Sequence, residues 1–110
     1  MKYSFFGTCY EDSFLLFDCL KSIELQSVKA NELILIDSSL SNSILREISK
    51  IFKDSKTSIV YKKVNLPRVK ALNYAISLAT SEYLLRFDSR TRFSKNYAEE
   101  AIKLLNEKNK

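Results

Sequence analysis

Two aspartates in this chain each close a short apolar run, Asp37 at the end of "ELILID" and Asp88 at the end of "EYLLRFD", and Arg90 and Arg92 follow the second. A carboxylate accepts N–H and O–H donors or ligates a hard cation, and a guanidinium grips phosphate oxygens through paired N–H donors. Either aspartate alone is an ordinary turn former; the two together at one edge of a sheet point to a shared site. Other chemistries are excluded by composition. The chain has no histidine, so Ser-His-Asp and Cys-His nucleophiles and His-ligated metals are ruled out. Cys9 and Cys19 have no C-x-x-C spacing and read as buried thiols of a reducing compartment. A single glycine, Gly7, and no G-K-[ST] triplet exclude a P-loop.

The elements that must position these residues follow from apolar periodicity. Strand-like runs occupy 3–8, 32–37, 58–64 and 82–88, with helical patterns between and after them. Asp12 is expected to cap a first helix burying Leu16, Cys19, Leu20 and Ile23, and Ile44, Ile48, Ile51 and Phe52 mark a second. Pro67 opens a third helix with Val69, Leu72, Ile76 and Ala79 on its core face, and Tyr97, Ala101, Leu104 and Leu105 mark a last one. Strict alternation predicts one α/β domain over residues 1–110, a three-layer Rossmann-like sandwich on a mostly parallel sheet of about four strands. Ligands of such sheets bind beyond the carboxyl ends of the strands, here Thr8 to Tyr10, Asp37 to Ser39, Asn65, and Asp88 to Arg92.

A net charge of +5 favours anionic partners. No basic motif with interleaved aromatics is present, so nucleic acid is not the expected one. The longest apolar runs are too short to span a bilayer, and Glu11 and Asp12 interrupt any signal-peptide pattern. The expected location is the cytoplasm, including the inner face of the membrane.

Five short motifs in order resemble the N-terminal, nucleotide-sugar-binding half of family 2 glycosyltransferases, which have the GT-A fold. "GTCYE" is similar to the P-x-Y-N segment after the first strand, and "CLKSIELQ" at 19–26 matches C-L-x-S-I-x-x-Q. "ELILIDSSL" resembles E-I-I-V-V-D-D-G-S, "NLPRVKALN" resembles N-x-G-x-x-x-A-R-N, and "ATSEYLLRFDSR" resembles A-x-G-x-Y-[apolar]-D-x-D. The resemblance covers about residues 3 to 105 and implies a truncated GT-A fold.

It implies a donor-binding domain of a glycosyltransferase acting in surface polysaccharide or lipopolysaccharide synthesis. The alternative is a non-catalytic nucleotide- or partner-binding module of the same fold. Carried over position by position, it implies nucleotide-sugar contacts from Thr8, Tyr10, Asp37, Asn73, Asp88 and Arg90. Asp37 would accept from the N3–H of uracil, which favours a UDP-sugar. Asp88 would ligate Mg²⁺ or Mn²⁺, although the last aspartate of D-x-D is Arg90 here, and Arg90 and Arg92 could hold the diphosphate in its place. The usual D-G after Asp37 is Ser38-Ser39, the usual glycine of the Asn65 motif is Pro67, and the usual arginine before Asn73 is Leu72. No catalytic residue is assigned, because the acceptor half that supplies the base of inverting members is not represented. A second chain supplying that half, and self-association through an unpaired sheet edge, are the expected protein partners.

Overall fold

A computed structural model describes residues 2–11 and 13–108. Strands β1 (Tyr3–Cys9), β2 (Glu32–Asp37), β3 (Ser58–Lys63) and β4 (Tyr83–Arg86) alternate with helices α1 (Ser13–Glu24), α2 (Ser43–Ile51), α3 (Arg68–Leu78) and α4 (Tyr97–Lys108). The strands form one parallel sheet in the order β3-β2-β1-β4. The expected α/β sandwich is therefore present, with parallel strands joined by helical crossovers. The expected capping residue of α1, Asp12, lies outside the described residues.

Strand alternation divides the core in two. Tyr3, Phe5 and Cys9 of β1 and Leu33 and Leu35 of β2 face a cluster completed by α1, α2 and α4. Phe6, Ile34 and Ile36 face the other way, against Ala71 and Ala75 of α3. Both central strands are buried along nearly their whole length, which is why they read as continuous apolar runs. Edge strand β3 is half-exposed and ends in Lys62 and Lys63, charges that discourage edge-to-edge pairing. Edge strand β4 has only four residues; its run was expected to reach 88, but Asp88 sits in the following turn.

Helices α1 and α2 bury the expected stripes. On α3 the expected face is rotated. Val69 is 70% exposed and Ile76 43%, while Ala71 and Ala75 are buried with Leu72, Leu78 and Ala79 packed beside them. A helix lying alone on one face of a sheet approaches closely through small side chains, and size misled the periodicity. On α4 the stripe centres on Ala98 and Ile102, with Tyr97 and Ala101 beside it and Leu104 exposed.

Gly7 has a specific packing reason. A Cβ there would stand 2.7 Å from the ring of Phe87, which lies across the strand. Phe87 extends the ladder beyond β4 by donating its N–H to the Phe6 carbonyl at 2.9 Å. The glycine thus lets the chain leave β4 directly over β1 and sets the position of Asp88, the next residue.

Candidate functional site

The chain runs from β1 through β2 to β3 on one side and then returns to β4 on the other, so the strand order reverses between β1 and β4. A crevice at the carboxyl ends is expected at such a reversal. A cavity of about 480 Å³ lies there, walled by Thr8 to Tyr10 after β1, Ser38 after β2, Asn65 and Leu66 after β3, Arg68, Ala71 and Leu72 on α3, and Arg86 to Arg90 at β4. A second hollow of about 560 Å³ adjoins it, sharing Arg86 and Asp88 and adding Arg92, Phe93 and Tyr97. Both volumes fall in the range of small-molecule sites.

Of the six expected contact residues, four line this cavity: Thr8, Tyr10, Asp88 and Arg90. Asn73 is exposed on α3 and is not part of the wall. Asp37 is also outside it. Its side chain follows the alternation of β2 into the α1/α2 face and is fully buried. One carboxylate oxygen accepts the Ser39 N–H at 2.9 Å and the Cys9 thiol at 3.4 Å, and the other accepts the Tyr61 hydroxyl at 2.5 Å. Burial, and then the bond to Asp37, push the Tyr61 hydroxyl pKa up, so it stays a donor. The expected convergence of two carboxylates on one pocket is thus corrected: one strand tip is a buried anchor. The next residue takes the cavity-facing place. The Ser38 hydroxyl donates to the Val64 carbonyl at 2.9 Å and accepts the Leu66 N–H at 3.5 Å, which leaves one oxygen lone pair for an incoming donor.

Two loops at the rim are tied together. Glu11 adopts the left-handed backbone at φ 53°, uncommon for a residue with a side chain. Its N–H donates to the Ser39 hydroxyl at 2.7 Å, and its carboxylate accepts the N–H groups of Leu40 and Ser41 at 2.5 and 3.3 Å. These bonds offset the strain and hold Tyr10 beside Ser38.

Asp88 is exposed and organises the turn after β4. Its carboxylate accepts the Arg90 N–H at 2.9 Å and pairs with the Arg68 guanidinium at 3.7 Å, and its carbonyl accepts the Thr91 N–H at 2.9 Å. The chain beyond is clamped by the helix motif "CLKSIELQ". Ser22 Oγ accepts the Phe93 N–H at 3.0 Å, while Gln26 donates to the Ser94 carbonyl at 2.6 Å and accepts the Ala98 N–H at 2.8 Å, capping α4. Phe93 stacks between Phe5 and Tyr97, with ring centroids 5.3 and 4.5 Å away. The motif visible in the sequence therefore fixes the loop that bears Arg90 and Arg92.

Arg68 and Arg86 were not anticipated; Arg68 stands far from either acidic strand tip in the sequence, whereas Arg86 lies two residues before Asp88, as far from it as Arg90. A compositional signal did exist. Of the five arginines, four (Arg68, Arg86, Arg90 and Arg92) line the two adjoining hollows, and no lysine among the described residues does. Asp88 is the one carboxylate in either lining among the described residues.

That donor set does not fit a divalent cation. Such ions take several oxygen ligands, and Asp88 offers one carboxylate already bonded to a backbone N–H and paired with a guanidinium. No cluster of three or more His, Cys, Asp or Glu side chains suited to a metal occurs among the described residues. Among the same residues no helix is long and apolar enough to cross a membrane.

Comparison with known proteins agrees with this fold. A family model described as glycosyl transferase family 2 matches residues 8–110. Among solved structures, S. aureus TarS matches with a TM-score of 0.80 at 22% identity, over 97% of this chain and 20% of that one. TarS 1-349 in complex with UDP-GlcNAc matches with a TM-score of 0.80 at 22% identity, and its complex with UDP with 0.79 at 20%. In those two, 97% of this chain covers 32% of the complexed chain in each case, so the chain spans at most about a third of these proteins. No curated protein matches.

Proposed function

This chain belongs to glycosyl transferase family 2, and from that premise we propose that its switch-point cavity holds the nucleotide diphosphate of a sugar donor, uridine for preference. The observation behind this reading is the polarity of the cavity: hydroxyl and amide groups at the β1–β2–β3 end, guanidinium groups at the β4 end.

The nucleoside lies against Thr8, Tyr10, Ser38 and Asn65, and the diphosphate against Arg68, Arg86 and Arg90. Because Ser38 donates to Val64, its oxygen accepts from a base, which suits the N3–H of uracil and leaves the unprotonated N3 of cytosine unpaired. Positive charge beside the diphosphate stabilises the negative charge that builds on it as the bond to the sugar breaks. Asp88, bonded into its turn, faces the ribose side. A general base for the acceptor hydroxyl must reach it within hydrogen-bond distance. Among the described residues the only carboxylate in the lining is Asp88, so we assign that base to residues outside this set, including those of a second chain. The process served is surface polysaccharide or lipopolysaccharide synthesis.

The alternative, a nucleotide-binding module without turnover, is favoured by the same lack of a free carboxylate, and assaying UDP-sugar turnover separates the two. Thermal shift against UDP, CDP and GDP tests the shared premise. A ligand at 100 times its Kd stabilises the fold by about 2.7 kcal/mol. UDP is expected to raise Tm more than CDP, and Ser38→Ala is expected to reduce that difference. Equal shifts from all three would remove the base preference. The unpaired side of β4 is where a second copy pairs in this reading, and light scattering showing only monomer across a concentration series would contradict it.

A further inference from the structure

The arrangement around Asp88 differs from what the family resemblance implies, and the difference has chemical content. We propose that this chain binds the diphosphate without a divalent cation. Arg68, Arg86 and Arg90 replace the metal, and Asp88 holds Arg68 ready for the phosphate rather than ligating an ion. The inference rests on the reading of the cavity as a diphosphate site but is separable from the uridine assignment.

Three observations lead to it. The first is the sorting of cations by type: among the described residues arginines line the two hollows and lysines do not. Net charge of the chain comes mainly from lysine, so a merely basic surface would place lysines here too. The planar fork of a guanidinium matches two phosphate oxygens at once, whereas an ammonium is a point charge. The second is charge balance. The main cavity brings three guanidinium groups to one carboxylate, leaving a net positive wall that repels Mg²⁺ or Mn²⁺ and attracts a diphosphate. The third is the state of Asp88 itself. One oxygen accepts the Arg90 N–H and the other faces Arg68 at 3.7 Å, an exposed pair loose enough to exchange. When phosphate oxygens enter, Arg68 can turn to them while Asp88 keeps its turn bond to Arg90. A metal ligand would have to give up the guanidinium to a cation of the same sign.

The loop that presents Arg90 is suited to such a role. Ser22 and Gln26 fix its backbone beyond Thr91, and the Asp88 bond fixes it before, so little ordering accompanies binding.

Calorimetry with inorganic pyrophosphate and with UDP, each in EDTA and in Mn²⁺, tests the proposal. Both ligands are expected to bind in EDTA with affinities within about twofold of those in Mn²⁺. Arg68→Ala and Arg90→Ala are each expected to weaken pyrophosphate at least tenfold, with melting temperatures near that of the parent chain. Asp88→Asn separates the models most sharply. It frees Arg68 and is expected to leave pyrophosphate binding unchanged or tighter in EDTA, whereas loss of a metal ligand would abolish a Mn²⁺-dependent affinity. Arg90→Asp, which restores a second carboxylate, is expected to lose EDTA binding and to gain a dependence on Mn²⁺.

Wild-type binding that tightens tenfold or more with Mn²⁺ and is lost in Asp88→Asn overturns the proposal while leaving the nucleotide reading intact. Arginine-dependent pyrophosphate binding in EDTA without UDP binding supports the cradle and removes the uridine assignment. Failure of both ligands at millimolar concentration overturns both.

Discussion

Asp37 and Asp88 look alike in the sequence, each an acid at the end of an apolar run, and the fold gives them opposite tasks. Asp37 is fully buried, with Tyr61, Cys9 and the Ser39 N–H as partners, and faces away from the cavity. Asp88 is exposed, pairs with Arg68 and lines both hollows. A buried carboxylate with every oxygen engaged is a structural joint, and an exposed one among guanidinium groups is available to a ligand. The difference is one of side-chain direction at the end of a strand.

The sharpest way to break this comparison is to remove each acid. Asp37→Ala strands the Tyr61 hydroxyl and the Ser39 N–H in the core and is expected to cost about 2–4 kcal/mol in urea unfolding. Asp88→Ala removes an exposed pair and one turn bond, so its effect on stability is expected to stay below about 1 kcal/mol. Equal losses would show that burial does not distinguish them.

Gly7→Ala probes what places Asp88. Its new methyl collides with the Phe87 ring, and a loss of about 1–3 kcal/mol is expected, together with altered ligand affinity at the turn that follows. A stable variant with unchanged pyrophosphate binding would show that Phe87 does not position the turn.

Cys19 extends the comparison to pH. Burial, with the Asp88 carboxylate adding, pushes its thiol pKa up from 9.0 to about 12. The unfolded chain gives up this proton near pH 9 while the folded chain keeps it. Stability is therefore full below pH 9 and falls as pH rises toward 12, by about 1–2 kcal/mol at pH 10. Cys19→Ala is expected to flatten that decline, and Asp88→Asn to reduce it slightly by removing the second cause. Thiol titration in the folded state that follows an ordinary cysteine would contradict this.

A further expected effect concerns the clamp. Gln26→Ala leaves the Ala98 N–H and the Ser94 carbonyl without their side-chain partner and is expected to cost about 1–2 kcal/mol. Its ligand affinity should weaken by less than in Arg90→Ala, because the loop loosens but the guanidinium remains. A loss of affinity larger than that of Arg90→Ala would make the clamp, rather than the arginine, the determinant.

Much of this was legible in the chain itself. Continuous apolar runs identified β1 and β2 because strands covered on both faces need no polar positions. The stripes of α1 and α2 were legible because each helix buries large side chains at helical spacing. The stripes of α3 and α4 were not, since Ala71, Ala75 and Ala98 bury little and announce nothing. The rim of the site followed from alternation of strands and helices together with the rule for open sheets, and Thr8, Tyr10, Asp88 and Arg90 were found in that way.

Local pattern alone thus determined the element order, the parallel sheet and the end of it that meets a ligand, because these depend on periodicity and on chain connectivity. Only the tertiary structure decided which side each tip faces. Successive residues of a strand point to opposite faces, so a step of one residue exchanges Asp37 for Ser38 at the cavity. It also brought Arg68, on α3, to the wall that Arg86 and Arg90 share. Distance along the chain says nothing of such neighbours until the sheet and its crossovers have closed.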